Sequence, residues 1–269
     1  MAAGSAADGT VAKALDVLDL VAARGAPVRF SELLAESAYP KATLYRLLQT
    51  LVTQGMLTYE PDRSSYSLGL RLVRLAHVAW QQSSLGPIAR PYLDQLSADL
   101  GETVHLAQLD NAQVLYLDKR NARDPVVMYS QAGKVGPAYC TGVGKAMLAF
   151  LPEDQLPAIL GQQSWHRFTS KTMTSSDALR TELRRIRARG YAFDDEEHEP
   201  GIICLALPIL SSSGRVLGAL SVTSTTARTS LAEFEKLLPM IREIVQKIAR
   251  DAETWRSPEA ASPPLRKKV

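Results

Sequence analysis

Cysteine and histidine are scarce in this sequence: its 269 residues include only two cysteines, Cys140 and Cys204, and four histidines. Two distant cysteines form neither a disulfide framework nor a CxxC metal pair, so we expect a reduced, cytoplasmic protein without a metal or cofactor. Apolar runs long enough to cross a membrane are also missing, and residues 1–10 lack the basic and apolar parts of a signal peptide. We therefore expect no membrane partner.

The chain also has little excess of charge of either sign, because its formal net charge is only +3. The distribution of charge is more informative than this sum. Between Lys41 and Arg74 the sequence has five basic residues and two acidic ones. Binding to the phosphates of nucleic acid requires such a local basic face, which an average over the chain conceals.

The segment from Ser31 to Gly69 has the order of a winged helix-turn-helix: a short helix, a turn, a longer helix, and two strands joined by a charged turn. We expect Ser31 to cap the short helix and Pro40 to occupy the first position of the longer one. The apolar positions of the longer helix follow the spacing of a buried amphipathic stripe: Leu44, Leu47, Leu48 and Leu51. A leucine stripe alone fits any three-helix domain, but the added basic hairpin favours DNA binding.

The opposite face of the longer helix is predicted to enter the major groove of DNA. Its side chains are small, polar, aromatic or basic: Lys41, Ala42, Thr43, Tyr45 and Arg46. Among them, Arg46 is the candidate for a bidentate contact to guanine. Arg63, at the tip of the hairpin, is expected to contact a phosphate or the minor groove, and Ser31 a phosphate.

The rest of the chain predicts an α+β fold, with helices packed on an antiparallel sheet. Helices are expected over residues 11–24, 70–82, 88–100, 177–189 and 231–255, the last bent or broken by Pro239. Two shorter helices are expected in CTGVGKAMLAFL and PEDQLPAIL. Strands are expected in TVHLAQLD, QVLYLDK and PVVMYS, and over residues 203–210 and 216–223.

Several stretches together resemble one known family. These are VAKALDVLDLVAARGAPVRFSELLAESAYPKATLYRLLQTLVTQGMLTYEPDRSSYSLG, YCTGVGKAMLAFLP, RGYAFDDEEHEPGIICLALPIL and GRVLGALSV. They are similar to the IclR family of bacterial transcriptional regulators, over residues 11–255. The resemblance implies a winged helix-turn-helix, a linker helix that helps to pair two such domains, and a C-terminal ligand-binding domain similar to GAF and PAS folds.

The resemblance also implies an effector pocket for a small organic acid in the C-terminal domain. Positions that match ligand contacts or line the pocket in the family are Gly142, Val143, Asp194, Cys204, Ser221 and Thr223. Val143 is larger than the residue often found there, so the ligand of no single relative can be carried over. Beside an acid, Asp194 would have to accept from a ligand hydroxyl, pair with a cation, or be protonated.

Other residues near this pocket have more than one interpretation. Met128, with Leu117, could form the apolar wall of the pocket or belong to the ordinary core. Cys140 could be the nucleophile of an enzyme, but no histidine accompanies it in the sequence, and a buried thiol beside the pocket is the simpler interpretation. The acidic run DDEEHEPG, at residues 194–201, suits a solvated loop better than a metal site.

The stretch TGVGKA lacks both the spacing and the hydroxyl of a P-loop, so we expect no nucleotide there. Gly142 and Gly144 at the start of a helix could instead seat a small anion such as a carboxylate. That position agrees with an organic acid as effector.

These observations predict five parts: a disordered N-terminus (1–10), a DNA-binding domain (11–69), a linker helix (70–84), an effector-binding domain (85–255) and a disordered basic tail (256–269). The predicted function is regulation of a catabolic operon, with repression favoured over activation. We expect a homodimer or dimer of dimers on a pseudo-palindromic operator, controlled by an aromatic, keto or sugar acid. The alternatives are a Cys-dependent or acid/base enzyme with an accessory helix-turn-helix, and a helix-turn-helix that contacts only proteins.

Overall fold

The structure, a computed structural model, describes residues 9–82 and 85–254. Its internal contacts divide the chain into two compact units, on either side of the bond between Trp80 and Gln81. Most of the predicted disordered N-terminus, the basic tail, the predicted helix end at Trp255 and the predicted boundary at Ser83 and Ser84 lie outside the described residues. We describe the two units separately.

The first unit is a winged helix-turn-helix. Its elements are α1 (Thr10–Ala23), β1 (Val28–Arg29), α2 (Phe30–Glu36), α3 (Lys41–Thr53), β2 (Leu57–Glu60), β3 (Ser65–Leu68) and α4 (Leu70–Gln82). The three strands form an antiparallel sheet in the order β1-β3-β2. The predicted stripe of α3 is confirmed, because Leu44, Leu47, Leu48 and Leu51 are all buried in the core of this unit.

Two predicted helix starts in this unit are wrong by one or two residues. The N-cap of α2 is Arg29 and not Ser31, which lies inside the helix. The Glu32 carboxylate accepts a hydrogen bond from the Arg29 backbone nitrogen at 2.8 Å, so the reciprocal side of a capping box replaces the serine cap. Pro40 is the N-cap of α3, one position before the predicted one.

The second unit has an α+β fold around one sheet. Its elements are α5 (Leu85–Leu100), β4 (Thr103–Asp110), β5 (Gln113–Arg120), β6 (Val135–Pro137), α6 (Gly142–Leu148), α7 (Leu156–Leu160), α8 (Ser176–Arg189), β7 (Ala192–Asp195), β8 (Ile202–Leu210), β9 (Val216–Thr225), α9 (Leu231–Glu235) and α10 (Leu238–Thr254). The six strands are antiparallel, in the order β6-β5-β4-β9-β8-β7.

The segment PVVMYS is not the strand that its composition predicts. The edge of β5 is occupied by β6, which pairs Gln113 with Pro137. The backbone nitrogen of Tyr129 instead donates to the carboxylate of Glu199, at 3.0 Å, and Val127 is 97% exposed. A run of apolar residues therefore forms a loop here, because another segment satisfies the edge of the sheet.

Helices cover both faces of the sheet, and each face has its own core. On one face α5 and α10 pack against residues such as Leu106, Leu205 and Val222. Leu117 belongs to this side, so it is not part of a wall around the predicted effector residues. On the other face α6 and α8 pack against small residues of the sheet, including Ala206 and Ala219.

Gly218 in β9 allows the start of α5 to pack closely against the strand. A methyl group at this position would lie 2.5 Å from Leu85 Cδ2 and 2.6 Å from the carbonyl oxygen of Ala107. The first turn of α5 therefore packs directly on the backbone of β9.

Candidate DNA-binding surface and effector cavity

The outer face of α3 presents the residues predicted to enter the major groove. Lys41, Ala42, Tyr45 and Arg46 are exposed, and Thr43 is half-buried. The buried leucines on the opposite side fix this orientation, because a helix with one apolar face has only one way to pack. Whether these side chains contact bases stays a prediction.

Aromatic residues that the sequence analysis missed surround the start of α3. The ring of Phe30 packs edge-on against that of Tyr45, with 6.1 Å between centroids. On the hairpin, the ring centroids of Tyr59 and Tyr66 lie 4.9 Å apart, with the rings tilted by 45°. The tyrosines in LTYE and SYSL are the signal that could have indicated this aromatic pair, since Tyr59 and Tyr66 are directly paired across β2 and β3.

Arg63 extends from the tip of the hairpin with 72% of its side chain exposed. Its Nε lies 3.8 Å from the Glu60 carboxylate, an exposed ion pair that costs little to break when a phosphate is available. Ser31 is also exposed, in the first turn of α2. Both side chains are accessible for the phosphate contacts predicted from the sequence.

A small, partly open cavity lies on the face of the sheet that α6 covers. It brings together seven of the eight residues predicted for the effector site: Met128, Gly142, Val143, Asp194, Cys204, Ser221 and Thr223. The other seven residues that line the cavity were not predicted from the sequence: His105, Tyr116, Ser130, Thr141, His198, Glu199 and Ile202. Cys140, the eighth predicted residue, is fully buried but does not line the cavity.

Strand register explains why residues far apart in the sequence meet here. Asp194 pairs with Cys204, and Cys204 pairs with Thr223 across β7, β8 and β9. Ser221 pairs with His105 on β4. Because side chains two positions apart on a strand share a face, these rows form one polar patch.

The glycine at position 142 allows α6 to approach this patch. A methyl group there would lie 2.3 Å from Cys204 Sγ and 3.6 Å from Asp194 Cβ. Gly144 has a different role, because a methyl group there would meet the Ala138 backbone. Gly144 does not line the cavity, so the predicted seat for an anion at the two glycines stays a prediction.

His105 is the centre of a buried hydroxyl network. Its Nε2 lies 2.8 Å from Ser130 Oγ, and its Nδ1 lies 3.3 Å from Thr223 Oγ1 and 3.4 Å from Ser221 Oγ. Burial, with a smaller contribution from Lys119, lowers the pKa of His105 to about 3. The imidazole is therefore neutral at physiological pH, with one nitrogen donating and the other accepting.

Buried charged groups surround Asp194, which lines the cavity. Burial raises the pKa of Asp194 to about 7, against the opposing effect of Lys145. Lys145 is itself buried and forms an ion pair with Glu197. The backbone nitrogen of Glu197 donates to Asp194 Oδ1 at 2.8 Å. The acidic run is thus only partly solvated, since Asp194 and Glu197 are both buried.

The two cysteines are free, buried thiols. Burial, followed by the charge of Asp194, raises the pKa of both thiols well above the usual value. A thiol that holds its proton this tightly is a poor nucleophile. Within the described residues, no group of histidine, cysteine and carboxylate side chains has the arrangement of a metal site.

The cavity has a volume of about 30 Å³. Sites that enclose drug-sized ligands usually measure roughly 300–1,000 Å³. The lining side chains must therefore move apart before the cavity can hold an organic acid.

A winged helix-turn-helix with an exposed basic helix, in one chain with a separate α+β unit, is the architecture of a DNA-binding transcription regulator. The family model of the IclR helix-turn-helix domain matches residues 10–61, and that of the bacterial transcriptional regulator IclR C-terminal domain matches residues 77–250. The chain belongs to the IclR family.

Named relatives agree with this assignment. The HTH-type transcriptional regulator KdgR of Escherichia coli is 33% identical over 89% of this chain and 92% of its own length. The regulator XynR of the same species is 31% identical over 90% and 96%. This protein is therefore a transcription regulator and not an enzyme.

A solved structure with the same fold is that of an IclR homolog complexed with 4-hydroxybenzoate, from Microbacterium hydrocarbonoxydans. Its TM-score is 0.80 and its sequence identity is 23%, over 92% of this chain and all of that one. Among the residues described here, no helix has the length and apolar character needed to cross a membrane.

Proposed function

We propose that this regulator represses a catabolic operon in the cytoplasm, and that a small organic acid in the cavity of the second unit controls its affinity for the operator. The observation that carries the proposal is the partly open cavity with polar lining residues in the same chain as an exposed recognition helix. Such an arrangement can couple a metabolite to DNA if the metabolite binds two states of the protein unequally.

On DNA, α3 would lie in the major groove. Arg46 would contact a guanine, and Lys41, Ala42, Thr43 and Tyr45 would complete the surface that reads the bases. Arg63 and Ser31 would contact the backbone or the minor groove. The exposure of these side chains and the local excess of basic residues support this docking.

A single winged helix-turn-helix contacts few base pairs, so we propose that two copies bind a pseudo-palindromic operator, either as a dimer or within a dimer of dimers. Apolar side chains on α4 support self-association: Leu70 is 83% exposed and Val73 is 64% exposed. A second copy of the same helix would remove them from water.

DNA binding is tested with duplexes selected from a random library by the purified protein. Arg46→Ala is expected to weaken binding by about 5- to 150-fold, the effect of losing one good base contact. Arg185→Ala is the control, because Arg185 is an exposed arginine in the second unit, with 70% of its side chain accessible. Affinity that does not fall with rising salt would contradict the proposal, since phosphate contacts release counterions.

The effector is sought by thermal shift with aromatic, keto and sugar acids, including 4-hydroxybenzoate. A compound that binds only the folded protein at a hundredfold excess over its dissociation constant contributes about 2.7 kcal/mol of stability. Binding should disappear in Ser221→Ala, and the compound should release the selected duplex in a gel shift. Tighter DNA binding with the compound would make it a co-repressor instead of an inducer, and the absence of any hit would contradict the proposed site.

A further inference from the structure

Among the described residues, none of those that line the cavity is a lysine or an arginine. Its ionisable lining consists of two carboxyl groups, Asp194 and Glu199, with His105, His198 and the weakly acidic Tyr116 and Cys204. An organic acid normally enters a protein site opposite a cation, because a buried negative charge without a partner is costly. This cavity must therefore compensate the charge of an acid by other means.

Two cations lie near the cavity without lining it. Lys119 donates from Nζ to the backbone carbonyl of Ser130 at 2.9 Å, and burial lowers its pKa. Lys145 forms its ion pair with Glu197, and both side chains are buried. Because Glu197 shares Lys145, this lysine offsets the charge of Asp194 only in part. Glu199 has a partner of its own, since both of its carboxylate oxygens accept from the backbone nitrogen of Tyr129, at 3.0 and 3.1 Å.

Three further groups that face Asp194 hold their protons and stay neutral. The Cys140 and Cys204 thiols interact with Asp194 and stay protonated, because burial raises the pKa of each. The Tyr116 phenol also interacts with Asp194 and is held neutral by burial, which raises its pKa. His198 acts on Asp194 less strongly than Lys145 and Glu197 do.

Hydroxyl donors are present on the same face of the sheet. Ser221 and Thr223 point towards the cavity and share the Nδ1 atom of His105. When Nδ1 carries the imidazole hydrogen, both hydroxyl hydrogens are free to donate to a ligand. This set of neutral donors can bind one carboxylate oxygen, but it cannot neutralise a second negative charge beside Asp194.

We propose that the effector acid binds together with one proton, which comes from solvent and is shared between the carboxyl group of Asp194 and the carboxylate of the effector. The inference rests on the effector site proposed above and specifies the protonation state in which that site is occupied. Two carboxyl groups at hydrogen-bond distance in a buried site share one proton, because two adjacent negative charges repel each other. The raised pKa of Asp194, about 7, makes the proton available close to neutral pH.

Affinity should then depend on pH with a defined sign. Above about pH 7.5 the free protein holds little of this proton, so the affinity for the acid should fall about tenfold for each further pH unit. Well below pH 7 the free protein already holds the proton, and the affinity should level off. Net proton uptake on binding should accordingly approach one at pH 8.5 and fall towards zero at pH 6.

The test is calorimetric titration of the full-length protein with an acid found in the panel, at pH 6 and 8.5. Each pH is measured in two buffers with different enthalpies of ionisation, so that the difference in heat gives the number of protons taken up. The primary amide of the same acid is the matched ligand, because it carries no charge to neutralise. Asp194→Asn should bind the acid without uptake at either pH, and Asp195→Asn, which alters the neighbouring half-exposed carboxylate, should behave as the parent protein.

The outcomes separate this inference from the site on which it rests. Uptake near one at pH 8.5 in the parent protein, but not for the amide, supports proton sharing even if the Asp194→Asn protein does not fold. An acid that binds with the same affinity at both pH values and without uptake would overturn the inference while leaving the site in place. If no acid of the panel binds at any pH between 6 and 8.5, the proposed effector site itself is wrong.

Discussion

Removal of Lys145 should destabilise the second unit, because it leaves a buried carboxylate unpaired. Lys145 is 1% exposed and its ammonium group contacts Glu197 Oε1. Glu197 Oε2 has no hydrogen-bond partner within the described residues, so the lysine is the principal compensation for that charge. Breaking a buried pair from one side typically costs about 3–5 kcal/mol. For a domain of this size, we expect Lys145→Met to lower Tm by about 6–20 °C.

The assay is thermal and urea unfolding, followed by circular dichroism, at pH 7 and at pH 5. The loss should be smaller at pH 5, because burial already raises the pKa of Glu197 and the isolated side chain can take up a proton instead. Lys171→Met is the control, since Lys171 pairs with Asp195 on the surface and should leave Tm unchanged. The double variant Lys145→Met/Glu197→Leu should recover much of the stability.

A Lys145→Met protein as stable as the parent at pH 7 would contradict this prediction. The prediction would also fail if the double variant were less stable than the two single variants together predict. Either result would mean that the pair contributes no compensation for burying the two charges.

Gly142→Ala should destabilise the protein and prevent effector binding, because the added methyl group would lie 2.3 Å from Cys204 Sγ; thermal unfolding and the panel measure both effects. Burial of His105 should contribute a loss of stability, on the order of a few kcal/mol, as pH falls from 6.5 towards 3, because unfolded histidine binds a proton there and buried His105 does not. Asp194, with its raised pKa, contributes with the opposite sign, so the His105 contribution is read from the difference between parent and variant. Urea titrations of His105→Asn should lack this loss, and an unchanged pH dependence would contradict it. Leu70→Glu combined with Val73→Glu should shift the protein towards monomer in sedimentation velocity, and an unaltered assembly would remove α4 from the interface.

Local pattern was sufficient to predict which face of α3 is exposed. The spacing of four leucines fixes which side of α3 is buried, and that side determines which residues remain outside. The predicted caps were less accurate. The N-cap of α2 is Arg29 instead of Ser31, because the Glu32 carboxylate accepts a hydrogen bond from the backbone nitrogen of Arg29. Caps depend on the exact residue at which a helix begins, whereas periodicity does not.

The cavity was predictable only in part. Family resemblance indicated Asp194 and Ser221, but nothing in the local sequence distinguishes His105 from the other histidines. Its role depends on the pairing of β4 with β9, which places it opposite Ser221. The contact of Lys145 with Glu197 likewise joins α6 to the turn after β7, and no periodicity within either segment encodes it.

The position of Gly218 has a mechanical consequence. The strand that carries Ser221 and Thr223 into the cavity also supports Leu85, through the bare backbone at Gly218. Leu85 is the first residue of α5. A displacement of β9 at Ser221 or Thr223 would therefore also shift the backbone on which α5 begins. The cavity and the start of α5 thus depend on the same strand.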